Sequence, residues 1–290
     1  MPACPICDDT TWKTIEVDGV ARVTRCDCIR ETASARLLAE ARIPRRYQHC
    51  DFENYISYNE QLTSALQYAR RLAERFPIVD KGLFLQGPPG VGKTHLAVAV
   101  LRQTIRSRGA RGIFYDTRDL LKMIRSTYNP DNRTAEMDVL RPVIEADLLV
   151  LDDLGAEKTS EWVEETLNLI VNSRYSEKRT TIFTSNYDDN PDNTDPDSLL
   201  FRIGFRMRSR LHEMCEFFYL DGADYRELPP NGGIEELQTL WKLRSKAARK
   251  PSLPSRTTGQ ARAQLRSTST IPQGRDGKAD LKWPGGRAGS

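Results

Sequence analysis

The sequence predicts an α/β protein built on a buried parallel sheet, with a small metal-stabilised module in front and a disordered basic tail behind. Three observations carry this. Gly87-Pro88-Pro89-Gly90-Val91-Gly92-Lys93-Thr94 lies between a short apolar run, 82–86, and an unbroken helical pattern from His95. A second apolar run, Leu148-Leu149-Val150-Leu151, ends in Asp152-Asp153. Four of the six cysteines, Cys4, Cys7, Cys26 and Cys28, fall at the N-terminus, and the last 47 residues carry 11 Lys/Arg against 2 Asp/Glu.

The chain has 290 residues, enough for one domain or two small ones. Apolar residues make up 39%, and no run is long enough to cross a membrane as a helix. The start, Met1-Pro2-Ala3-Cys4-Pro5, has neither a basic nor an apolar leader, so a cytosolic protein with reduced thiols is expected. The net charge is +3, but residues 1–243 hold 32 basic and 38 acidic side chains. A mildly acidic body with a basic end fits either a nucleic-acid-binding appendage or a solubilising tail.

Cys4-Pro5-Ile6-Cys7 and Cys26-Asp27-Cys28 flank two β-prone runs, 12–17 and 21–25, joined around Asp18-Gly19. Asp-Gly between such runs signals a hairpin. Two cysteine pairs bracketing a hairpin can converge on one tetrahedral Zn²⁺, which would stabilise a piece too small to bury its own core. The module is expected over 1–32. The alternatives are disulfides or free thiols, which a reducing compartment disfavours for the first. Cys50 and Cys215 have no partner at ligand spacing and are expected as buried small hydrophobes.

Residues 29–42 are helix-prone, and Pro44 ends that pattern. Residues 33–58 are expected to act as a linker, extended from 43 onward. Asn59 is a candidate cap for a helix to about Phe76, with Leu62, Leu66, Ala69, Leu72 and Ala73 on one face. The nucleotide-processing domain is expected over 59–228. Its Gly-rich stretch fits G-x-x-x-x-G-K-[ST], a loop whose backbone N–H groups surround a phosphate at a helix N-terminus. Gly87, Pro88, Pro89, Gly90, Val91, Gly92, Lys93, Thr94 and His95 are the candidate nucleotide contacts. Lys93 would neutralise the β- and γ-phosphates, and Thr94 would ligate Mg²⁺.

A second strand is expected at 111–116, then helices at 118–128 and 134–145 around Asn129-Pro130-Asp131-Asn132. The run ending in Asp152-Asp153 reads as a buried parallel strand whose C-terminal end meets the ligand. Asp152 is the candidate Mg²⁺ ligand, and Asp153 would orient or activate the attacking water. A helix is expected at 160–177, and a β-branched strand at 180–186 ends in Asn186, placed to bond the γ-phosphate or that water. A Pro/Asp/Asn loop at 190–198 leads to a basic helix over 198–212, a last strand at 216–220 and Asp224-Tyr225-Arg226. Residues 229–290 are expected to hold one short helix, 234–249, and a disordered tail from 250.

These residues together resemble the DnaC/IstB-like AAA+ ATPases, a family of helicase loaders and transposition helpers. The resemblance covers roughly 43–227. It rests on Ile43-Pro44-Arg45-Arg46-Tyr47, the Gly87–Ala97 stretch, Leu148–Gly155, Thr184-Ser185-Asn186, Ile203–Cys215 and Gly222–Arg226. The front module looks like the zinc ribbon of some loader-like members. The resemblance implies a five-stranded parallel sheet flanked by helices, ATP as substrate with Mg²⁺, and ring or spiral homo-oligomers. It matches Asn186 to sensor 1, Arg210 to the arginine finger and Arg226 to a sensor 2 arginine. It likens the helices at 118–145 to an insertion that contacts single-stranded DNA. Two departures stand out: Asp153 takes a place that many AAA+ ATPases give to Glu, and no full helical lid fits after Arg226. The resemblance implies a loader that delivers a replicative helicase to single-stranded DNA. The other readings are a transposase-activating helper on duplex DNA and a non-enzymatic zinc-ribbon adaptor.

Overall fold

The computed structural model describes residues 4–8, 10–17, 19–128, 135–158, 160–190, 195–229 and 232–248. Asp18 of the expected hairpin turn, the expected turn at 129–132, residues 191–194 of the expected loop and the expected tail from 250 lie outside them.

The N-terminal module is a two-stranded antiparallel hairpin, β1 (Trp12–Val17) and β2 (Val20–Arg25), with Val17 opposite Val20. That register leaves a two-residue connection, and Gly19 takes the positive φ of 74° that such connections require. The first cysteine pair sits in tight turns: Asp8 N donates to Cys4 O at 2.8 Å and Thr10 N to Cys7 O at 2.8 Å. Helix α1 (Cys28–Glu40) starts on the fourth cysteine.

The chain then joins the main body earlier than the expected boundary at 59. Ala41, Cys50, Phe52, Tyr55 and Tyr58 are all buried in its core, so the stretch expected as a linker is a packed strap. It carries a single 3₁₀ turn, Arg45–Tyr47, among irregular residues. Helix α2 (Glu60–Arg75) follows, capped as expected: Asn59 Oδ1 accepts from Leu62 N at 2.8 Å.

The remaining elements alternate: β3 (Gly82–Gln86), α3 (Lys93–Arg108), β4 (Gly112–Asp116), α4 (Thr117–Ser126), α5 (Glu136–Glu145), β5 (Leu148–Asp152), α6 (Glu161–Ser176), β6 (Thr180–Ser185), α7 (Leu199–Met214), β7 (Cys215–Tyr219) and α8 (Ile234–Ala248). All five strands are parallel, in the order β4-β5-β6-β3-β7. This is the α/β architecture with a five-stranded parallel sheet that the resemblance implies.

The apolar strand runs are continuous because both sheet faces are covered. Leu83, Leu85, Val150 and Ile182 join the cluster under α2 and α3, while Phe84, Leu149, Leu151 and Phe183 join the cluster under α4–α7. The outer edge of β4 is not left bare, since Phe114 N donates to Ala41 O at 2.8 Å. Arg174 is fully buried and serves α5 and β6 together. Its guanidinium donates to the carbonyls of Val143, Ile144, Ala146 and Thr180 and to Thr181 Oγ1. Cys50 and Cys215 are buried as expected, 2% and 1% exposed, and burial pushes both thiols up.

Two features were not legible in the sequence. The basic helix is broken at Gly204, whose φ of 76° and ψ of 163° are non-helical. Helix α8 also packs back on the body: Leu237 is fully buried and Trp241 Nε1 donates to Asp221 Oδ2 at 2.9 Å.

Candidate nucleotide site and metal centre

The C-terminal ends of β3, β5 and β6 finish side by side, and chain order reverses across β3, which pairs with β6 on one edge and β7 on the other. Ligands of open α/β sheets bind at such a point. A cleft of about 890 Å³ opens there, and Gly90, Gly92, Lys93, Thr94, Asp152 and Asn186 are among its lining residues.

The loop glycines are dictated by close approach. Gly90 has φ 81°, and a Cβ on it would lie 1.8 Å from Asp224 Oδ1. Gly92 has φ 97°, and a Cβ there would lie 2.9 Å from the Tyr55 ring. Any other residue at either place would be strained and would fill the cradle. Gly92 is the N-cap of α3, so Lys93 and Thr94 are the first helical residues beneath the loop.

Lys93 is 6% exposed. Its Nζ donates to Gly87 O at 2.8 Å, Pro88 O at 2.8 Å and Asn186 Oδ1 at 2.7 Å. These acceptors are neutral, so a buried cation sits without a bonded counter-anion. Burial pulls its amine down to about 8, against the attraction of Asp153 and Asp152. A phosphate arriving above it would supply the missing charge, which is the fit expected of a nucleotide cradle.

The acidic side is equally ordered. Asp152 Oδ1 accepts from Thr94 Oγ1 at 2.8 Å and from Thr184 Oγ1 at 2.6 Å. Thr94 and Asp152 therefore present two oxygens side by side, a hard donor pair suited to Mg²⁺. Asp153, at the positive φ of 60°, has a different set of partners. It accepts from Asn186 Nδ2 at 2.6 Å and from Arg118 Nη2 at 3.0 Å. Burial pushes both carboxyls up, and the Arg118 charge opposes this at Asp153.

The expected site residues do not all converge. Arg226 lines the cleft on a 3₁₀ turn, Tyr225–Glu227, which is strapped to the loop by Tyr225 N donating to Gly90 O at 3.0 Å. His95 lines the cleft through a side chain held at Asp51 O, 3.0 Å, and Asn54 Oδ1, 2.8 Å. Arg210 does not line the cleft of its own chain; it lies on α7, with its charge felt by Tyr175 of α6.

Sequence reasoning missed three participants. Arg118 sits in the first turn of α4, which Asp116 caps directly after β4 by accepting from Arg118 N at 2.9 Å. With no loop between strand and helix, its side chain is delivered to the cleft. Thr184 bridges the two acids, since its Oγ1 also accepts from Asp153 N at 2.9 Å. Its signal was position, a polar residue at the C-terminal end of a strand beside a second such strand. Asp224 abuts Gly90, and nothing local announces that.

At the front module, Cys4, Cys7, Cys26 and Cys28 bring their Sγ atoms within 4.8 Å of one another. Cys4 and Cys26 are 3.9 Å apart, and Cys7 and Cys28 3.5 Å. Tetrahedral Zn–S bonds of about 2.3 Å require S···S separations of roughly 3.8 Å. All four are free thiols rather than disulfides, so the donor set fits zinc.

Comparison with known proteins agrees with this geometry. The model of the IstB-like ATP binding protein family matches residues 27–194. The replicative helicase loader DnaC of Buchnera aphidicola subsp. Baizongia pistaciae is 32% identical over 153 residues, 53% of this chain and 62% of that protein. The DnaC of Escherichia coli strain K12 is 32% identical over 140 residues, 48% and 56% respectively. The chain thus spans about three fifths of the length of the curated relatives it matches. A crystal structure of the DnaC helicase loader superposes with a TM-score of 0.54 at 34% identity, covering 61% of this chain and 99% of that one. The replication initiator DnaA bound to AMPPCP and single-stranded DNA shares the fold, with a TM-score of 0.52 at 19% identity over 70% of this chain and 66% of that one. The phosphate loop, the paired acids and the matched family model lead to one conclusion: this chain belongs to the IstB-like ATP-binding family of DnaC-type AAA+ ATPases.

Proposed function

We propose that the protein is a cytoplasmic ATPase that loads a replicative helicase onto single-stranded DNA, working as an ATP- and DNA-dependent homo-oligomer. The observation that carries the ATPase reading is Lys93, a buried cation bonded only to neutral oxygens at the mouth of a helix-capped glycine loop. The similarity to DnaC loaders supports the loading role. Among the described residues no helix is long and apolar enough to cross a membrane.

In this reading the loop N–H groups and Lys93 bind the β- and γ-phosphates, displacing the amine from its carbonyl partners. Thr94 and Asp152 would hold Mg²⁺, which would neutralise charge on the same phosphates. Asp153 accepts the proton of the attacking water, and Asn186, already on Asp153, positions that water. Arg226 approaches the phosphates within the chain, and Arg210 acts on the nucleotide of the next subunit. The zinc ribbon is a separately stabilised module at the N-terminus.

The experiment is co-purification under ATP with a DnaB-type replicative helicase and, separately, with a transposase. Capture of the helicase together with ATP-dependent transfer of it to single-stranded DNA is the expected result. Capture of the transposase alone would move the protein to the helper branch.

A further inference from the structure

Residues 221–226 return the chain from β7 to the phosphate loop, and three parts of the molecule hold them. The loop itself is one: Tyr225 N donates to Gly90 O at 3.0 Å. The strap and the start of α2 are the second. Tyr58 Oη accepts from Ala223 N at 2.5 Å, Asn59 Nδ2 donates to Asp221 O at 2.8 Å, and Tyr225 Oη donates to Ile56 O. Helix α8 is the third. Trp241 Nε1 donates to Asp221 Oδ2 at 2.9 Å, and Arg244 Nη1 to Gly222 O at 3.2 Å.

The α8 contact is packed as well as bonded. Leu237 is fully buried, in the same apolar cluster as Tyr58, Ala223 and Val91 of the phosphate loop. The Trp241 ring meets the Tyr58 ring edge-on at 6.2 Å, and Tyr58 lies 6.3 Å from Tyr225, which lines the cleft. Gly222 is required here, because a Cβ on it would lie 2.4 Å from Tyr58 Oη. Residues 220–224 are irregular, so the groups that bond them set their position. The matched family model ends at residue 194, and neither this segment nor α8 falls within it.

We propose that α8 is a clamp on the nucleotide site, with Trp241 as its positioning residue. By holding Asp221 and Gly222, the helix keeps Tyr225 on Gly90 and Arg226 at the cleft. Trp241 acts on the nucleotide only through this segment. With α8 undocked the segment is less ordered, and nucleotide binding must reorder it, which weakens affinity. The chemical step is spared, since Lys93, Asp152, Asp153 and Asn186 hold one another at the ends of β3, β5 and β6. The inference rests on the reading of this cleft as an ATP site.

The test uses full-length Trp241→Phe, Asp221→Ala and the double variant beside the parent. Calorimetry gives affinity for a non-hydrolysable ATP analogue, and steady-state assays give KM and kcat. Trp241→Phe keeps a ring against Tyr58 and loses the N–H. Each single variant should bind the analogue about three- to tenfold more weakly, the scale of one hydrogen bond, and raise KM in step while kcat stays within about twofold. The double variant should be no worse than the weaker single one, because both changes remove the same bond. By linkage, the analogue should slow hydrogen exchange across 234–244 in the parent. Should Trp241→Phe fail to fold, Asp221→Ala carries the test through the same bond. Parent-like affinity in the variants, whatever their melting temperatures, would make α8 a buttress only and overturn the inference. So would a loss confined to kcat, or exchange in α8 that the analogue leaves unchanged. A parent that binds no ATP analogue would remove the nucleotide reading itself, and this inference with it.

Discussion

Arg118 Nη2 holds Asp153 Oδ2 at 3.0 Å while Asn186 Nδ2 holds the other oxygen at 2.6 Å. The carboxylate expected to activate water is thus engaged on both oxygens by side chains of its own chain. Arg118 belongs to α4, the first of the two helices whose resemblance suggests DNA contact, so a shift of that helix would be felt at Asp153.

Removing Arg118 should therefore raise basal ATP hydrolysis, because the water no longer competes with a guanidinium for Asp153. The Arg118→Ala variant is expected to bind ATP within about threefold of the parent and to hydrolyse it several-fold faster without DNA, while losing most stimulation by DNA; a salt-bridge partner this exposed contributes little to stability. Steady-state turnover with and without single-stranded DNA checks this. A tenfold or greater loss of basal rate would instead make Arg118 a group that serves the transition state.

The two ends of the phosphate site should separate cleanly. Lys93→Ala leaves the phosphates without their charge partner and should abolish nucleotide binding in calorimetry. Asp153→Asn should keep binding but slow hydrolysis by about 10²–10⁴-fold, the range for a lost general base. Parent-like hydrolysis by both variants would remove Lys93 and Asp153 from the site.

The buried amine of Lys93 gives a pH signature. In the free protein it titrates near about 8, below the ordinary lysine value, because burial disfavours its charge. Bound phosphates favour the charged form, so above that pH binding must take up a proton. ATP affinity should be level below pH 8 and fall up to about tenfold per pH unit above it. Stability of the free protein runs the other way. The unfolded chain binds more protons at this lysine between about 8 and 10.5, so stability gains from it as pH rises through that window. Calorimetry in two buffers of different ionisation enthalpy measures the proton uptake; none at pH 9 would contradict the assignment.

Purified protein should carry about one Zn²⁺ per chain. Cys4→Ser/Cys7→Ser should lose it and unfold the hairpin. The ATPase body should keep its melting transition, because Cys7 and Cys26 belong to neither apolar cluster of that body. Metal analysis of a reduced preparation decides the first point and differential scanning calorimetry the second.

Arg210 should act between subunits. Arg210→Ala and Lys93→Ala should each be nearly inactive, the first while still binding ATP. Mixed together, they should regain part of the activity, since a Lys93→Ala subunit can lend its Arg210 to the intact loop of a neighbour. An arginine finger is worth about 10³–10⁵ in rate, so the recovery is large enough to read. No recovery in oligomers shown to be mixed would confine Arg210 to its own chain.

The sequence by itself determined the buried strands, the loop and the acids, because each is encoded by residues adjacent in the chain. Gly87–Thr94 needs only its own glycines and the flanking strand and helix, and Leu148–Asp153 shows a buried strand and its polar end in one run. Cys4, Cys7, Cys26 and Cys28 likewise announce, through spacing, four sulfurs that could converge on one metal ion. Tertiary structure alone decided what meets across the sheet. Arg118 reaches Asp153 because β4 and β5 pair with Asp116 beside Asp152 and α4 starts without a loop. Asp224 closes on Gly90 because β7 pairs with β3 and returns the chain over the phosphate loop. The residues of 43–58 look like a tether in sequence, being short of any period, yet Cys50, Phe52, Tyr55 and Tyr58 are buried against α2 and α3. Local patterns encode hydrogen bonds within a segment; contacts between segments depend on strand order, which no single stretch of this chain contains.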